Sequence, residues 1–173
     1  KDVRVRGLRF TAAYGVANCA LVIQDSGRVE VSGNRIDQFQ SGVLVQHGDK
    51  VTVKENVIHI TPLWADPGNP NALAEYFGAS QGIDVINGQF ARIIGNEVTG
   101  ASFGIFGNDA HGEMRGNSAS GCLVGVILCR QAPVYAIDGS PVWAENASNL
   151  WRVQDNLAFV NYLVGYLVID GAH

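Results

Sequence analysis

Five asparagines return at one phase of a two-residue alternation, and no other feature of the chain restricts its fold as much. Asn34, Asn56, Asn96, Asn117 and Asn156 each follow a short apolar-alternating run at the same offset. Three places before them stand Val31, Val53, Ile93, Met114 and Val153; two places after stand Ile36, Ile58, Val98, Ala119 and Ala158. Further on, a glycine opens another alternating run, as in Gly42-Val43-Leu44-Val45, Gly82-Ile83-Asp84-Val85 and Gly125-Val126-Ile127-Leu128. Asn34 and Asn56 are 22 residues apart, and Asn96 and Asn117 are 21 apart. Asn56 to Asn96 spans 40 residues and Asn117 to Asn156 spans 39, so two repeats carry a long insertion. A period near 20 built only from period-two segments marks a β-solenoid, and the fold class is all-β.

Aligned on the asparagines, each repeat offers three short strands. The earliest repeat fits with Leu8 in the asparagine slot, which makes about six coils. A sharp corner between strands needs a left-handed backbone, and asparagine tolerates one better than most residues. Stacked side-chain amides can also bond from coil to coil. The asparagines are therefore expected to be corners and not ligands.

Alternation assigns the faces. Val3, Val29, Val51, Ala91, Gly112 and Trp151 form the inward column of the first strand, with Arg4, Glu30, Thr52, Arg92, Glu113 and Arg152 outward. On the third strand Leu21, Val43, Ile83, Ile105, Val126 and Tyr166 point inward. Its outward column is Val22, Leu44, Asp84, Phe106, Ile127 and Leu167, apolar at every place but Asp84. A strand facing bulk water has no need of such a column.

This pattern resembles the right-handed parallel β-helix repeat of the pectate-lyase-like superfamily, over nearly the whole chain outside the insertions. The resemblance implies a single β-helix domain across 1–173. It also implies a carbohydrate-active protein at work outside the cytoplasm: extracellular, periplasmic or on the cell surface. The superfamily holds polysaccharide lyases, glycoside hydrolases, uronate epimerases, tailspikes and non-catalytic surface proteins, so the fold alone does not choose an activity. The catalytic signatures of the polygalacturonases and alginate epimerases are missing from the sequence, as is the calcium-binding carboxylate cluster of the pectate lyases.

Composition narrows the partners. Charged residues are 16% of the chain and the net charge is −4, which argues against nucleic acid, a partner that needs clustered Lys and Arg. No apolar run approaches the roughly 20 residues of a membrane span. No signal peptide is visible, and a first residue of Lys suggests a processed or excised start. Neither end offers a capping element, so flanking β-helix coils or self-association are expected to shield the stack. Cys19, Cys122 and Cys129 lack metal-ligand spacing and read as buried thiols; no metal site is expected, and the cofactor question stays open.

Function is expected near the insertions, roughly 61–80 and 131–149, because long excursions from a compact solenoid are where binding residues gather. They leave from opposite edges of the third-strand sheet, so two flaps would border one face. Trp64, Tyr76, Tyr135 and Trp143 in the insertions could stack on sugar rings, or equally pin the loops onto the apolar outer column. Polar candidates collect at the end of the third strand: His47, Asn87, Asn108 with Asp109, and Arg130, with Asp84 on the strand and His111 beyond. For a lyase, His47 or His111 would be the base, Arg130 the neutralising cation and Tyr76 the acid. A glycosidase would need two carboxylates, for which Asp84 with Asp109 or Glu75 is the available choice. The competing expectation is a non-catalytic structural or binding solenoid, such as an adhesin, tail-fibre or scaffold segment. An open cleft with converging His47, Arg130 and a carboxylate favours the enzyme, and a closed apolar face favours the scaffold.

Overall fold

Each repeat becomes one coil of three parallel strands. The structure is a computed structural model, and it describes residues 2–12, 19–60, 80–108, 110–129, 134–135, 141–142 and 151–169, with backbone alone at 134, 135, 141, 142 and 169. The first coil is β1 (Val3–Arg6), β2 (Arg9–Thr11) and β3 (Cys19–Gln24), and the second is β4 (Val29–Ser32), β5 (Arg35–Phe39) and β6 (Ser41–Gln46). The third is β7 (Thr52–Lys54), β8 (Val57–Ile60) and β9 (Gln81–Ile86), and the fourth is β10 (Ala91–Ile94), β11 (Glu97–Thr99) and β12 (Phe103–Asn108). The fifth is β13 (Gly112–Arg115), β14 (Ser118–Ser120) and β15 (Val124–Cys129). A two-stranded antiparallel pair, β16 (Val134–Tyr135) and β17 (Pro141–Val142), then precedes the sixth coil, β18 (Trp151–Gln154), β19 (Leu157–Phe159) and β20 (Val164–Ile169).

Like strands stack on like strands, giving three six-stranded parallel sheets in coil order: a parallel β-helix of six coils, without a helix among the described residues. The register reproduces the columns read by alternation: Ala91 pairs with Gly112 and Gly112 with Trp151, while Leu44 pairs with Asp84, Asp84 with Phe106 and Phe106 with Ile127. Inside, Val31, Ile36, Val53, Ile58, Ile83, Ile93 and Ile105 are fully buried in one continuous core. Each such side chain contributes about 1.5–3 kcal/mol by leaving water.

The asparagines form the expected ladder. The side-chain oxygen of Asn56 accepts from the backbone N–H of Asn34 at 3.0 Å and from its amide Nδ2 at 2.9 Å. Asn96, Asn117 and Asn156 repeat the arrangement. Each amide nitrogen also donates backwards, Asn56 to the Val31 carbonyl at 3.0 Å and Asn96 to the Val53 carbonyl at 2.9 Å. The left-handed residue at this corner is not the asparagine but the one before it: Gly7, Gly33, Glu55, Gly95, Gly116 and Asp155. The preceding residue turns the chain, which frees the asparagine to aim its amide along the stack.

Candidate functional site

The end of the third sheet carries two distinct polar features, built at different residues of the same strands. The first lies on the strands' outer face. Asp84 sits in the third coil between Leu44 and Phe106, with Ile86 two residues on along the same face. It is only 5% exposed, and its Oδ1 has no hydrogen-bond partner. Burial pushes its carboxyl up to about 8, so it holds its proton at neutral pH. Further along the same sheet Val124, Ile127 and Cys129 are buried, with Phe103, Phe106, Val164 and Leu167 packed against them, while Leu44 is half-buried and Val22, in the first coil, is 55% exposed.

The second feature lies one turn further, where the third strand hands over to the next coil's first strand. Asp25, His47 and Asn87 occupy equivalent places and form a row. His47 Nδ1 lies 3.2 Å from Asp25 Oδ1, and its Nε2 lies 3.2 Å from Asn87 Nδ2. With the Asn87 amide donating to Nε2, the neutral imidazole is assigned the tautomer that turns Nδ1–H towards Asp25. Three residues later a second row runs Arg28, Lys50, Phe90. Lys50 Nζ sits 5.9 Å from the Phe90 ring centre, and the His111 ring meets Phe90 edge-on at 4.8 Å.

Among the sequence candidates, the structure brings His47 and Asn87 together and adds Asp25, which sequence reasoning passed over. Asp84 stands apart from that row, three residues of strand, about 10 Å, before Asn87. His111 belongs with Phe90 and not with His47. Asn108 pairs with Ile86 and is fully buried, one place before the row that holds Asn87. Asp109, Arg130, Trp64, Tyr76 and Trp143, with Glu75, lie outside the described residues; Tyr135 falls on β16, where only the backbone is described.

Other chemistry is sparse. Burial pushes the Cys19 and Cys122 thiols up from their usual range, which makes them poor nucleophiles. Among the described residues no group of three or more His, Cys, Asp and Glu could hold a metal ion. No helix there is long and apolar enough to cross a membrane. An open depression lined by Val3, Ser26, Gly27, Arg28, Val29 and Asp49 contains none of the sequence candidates. No protein-family model matches the chain, and neither a characterised protein nor a solved structure does.

Proposed function

We propose that the chain is a carbohydrate-active β-helix that binds or cleaves an acidic polysaccharide along the outer face of its third sheet, outside the cytoplasm. The observation that carries this reading is Asp84: the one acid of its outward column, buried, unpartnered at Oδ1 and still protonated near neutral pH. A carboxylic acid kept neutral in an apolar setting is suited to hand its proton to a leaving glycosidic oxygen.

The second reading, a non-catalytic binding or structural solenoid, draws support from the burial of part of the face. Ile127 is 4% exposed although it points away from the coil interior. Under this reading Asp84 is only a neutral acid enclosed by apolar neighbours.

Turnover separates the two. A panel of uronate polysaccharides is incubated with the protein while absorbance of an unsaturated product and release of reducing ends are followed. The enzyme reading expects product from at least one polymer and its loss in Asp84→Asn. Silence of both assays on every polymer leaves the solenoid reading standing.

A further inference from the structure

The corner that joins the third strand of one coil to the first strand of the next is built unlike the other two corners. At the asparagine corner, glycine takes the left-handed residue in four coils of six: Gly7, Gly33, Gly95 and Gly116. Towards the remaining corner, Gly100 and Gly121 share the task with Gln38 and Val160. At this third corner the left-handed positions among the described residues are Asp25 (φ 48°), Arg28 (φ 56°), His47 (φ 52°), Lys50 (φ 57°), Asn87 (φ 52°) and Phe90 (φ 54°). None of these six is a glycine. Asp, Asn and His enter this region with some ease, but Arg, Lys and Phe do not, at a cost of about 1–2 kcal/mol each.

Burial does not explain the choice. Arg28 and Lys50 are exposed, and Phe90 is 57% exposed. Glycine would relieve the backbone at all three places and would remove little buried area. Backbone strain kept at exposed positions points to a use for the side chains.

We propose that this corner is a second binding site, for a sugar chain lying parallel to the stack axis. The side chains supply what a polyhydroxylated ring needs. Phe90 offers an aromatic surface for the C–H face of a sugar, steadied by Lys50 from the preceding coil and His111 from the following one. The row of Asp25, His47 and Asn87 presents planar polar groups at rungs about 4.8 Å apart, spaced to meet successive hydroxyls. Arg28 and Lys50 add cations, of which Lys50 is partly offset by Asp49 at 3.5 Å. A corner so balanced in charge suits a glycan better than a bare polyanion. The site is separate from the sheet face around Asp84 and does not depend on any cleavage there.

Binding is read by nuclear magnetic resonance titration in the Asp84→Asn background, so that turnover cannot consume the probe. The probes are an oligogalacturonate and a neutral cello-oligosaccharide. Saturable shifts of the His47, Asn87 and Phe90 resonances are expected with at least one of them. Phe90→Gly should weaken that binding about tenfold or more while the melting temperature holds or rises, and Phe90→Tyr should retain it. Lys50→Gln weakening only the uronate arm would assign the cation to the carboxylate; equal retention in both arms would assign recognition to the ring and the polar row. The proposal is overturned if neither sugar binds, or if single-stranded DNA binds as tightly as either. It also fails if Phe90→Gly lowers the melting temperature and leaves binding intact, since the ring would then be structural.

Discussion

Asp84 is the residue whose surroundings disagree most with its chemistry. Sequence alternation placed it on the outward column and marked it as the one acid there, but could not show that this part of the face is closed to water. Its register partners Leu44 and Phe106 stabilise no charge, so the carboxyl remains neutral instead. The stability consequence has a definite sign. The folded carboxyl titrates near 8 and the unfolded one near 3.8, so between those values the folded state carries the extra proton. Stability is then full below about pH 4, falls as pH rises, and levels off above about pH 8. Urea melts across this range should show that slope in the wild type and its loss in Asp84→Asn, whose amide mimics the neutral acid. Asp84→Leu, matching its neighbours, should gain on the order of 1–4 kcal/mol above neutrality. An unchanged slope in Asp84→Asn would mean that the carboxyl is already solvated in the folded state.

Single strands show why some columns could be read from sequence and others could not. Inward positions follow a strict alternation, so Val29, Val51, Ala91 and Trp151 were legible and are all buried. The same reading gave the turn conformation to the asparagines themselves. Side-chain pattern cannot tell which of two adjacent residues carries a positive φ, and Gly33, Gly95 and Gly116 were the missed signal. The second row at the third corner was missed for a related reason: Arg28, Lys50 and Phe90 share a backbone conformation and not a residue type. Packing between strands, by contrast, shows up as paired sizes. Gly107 on β12 lies against the indole of Trp151 on β18, and a Cβ at Gly107 would stand 2.9 Å from Trp151 Nε1 and Cε2. Gly107→Ala should therefore destabilise the fold by about 1–3 kcal/mol through overpacking. Trp151→Leu in the same chain should recover part of that loss, and a double-mutant cycle by chemical denaturation measures the coupling. Strictly additive effects would mean that the two positions do not share the space.

At the scale of the whole molecule the protein is a stack whose strands pair from each coil to the next, so position along the axis decides what a repeated residue contributes. The asparagine ladder isolates that effect because the residue type is constant. Asn96 is buried at the centre. Its oxygen accepts from Asn56 N and Nδ2, and its amide donates to the Val53 carbonyl and to Asn117 Oδ1. Asn96→Ala removes all four bonds and strands the Asn56 and Val53 groups away from water, at about 1–3 kcal/mol for each buried group left unpaired. Asn156 in the sixth coil accepts from Asn117 in the same way but is only half-buried, so water can take over the orphaned donors. Asn156→Ala should accordingly cost about 1 kcal/mol, within the range of an ordinary replaced hydrogen bond. Urea denaturation of the two variants side by side measures the difference. Equal losses would show that the ladder acts as one cooperative chain of dipoles, in which burial at the individual rung has no weight.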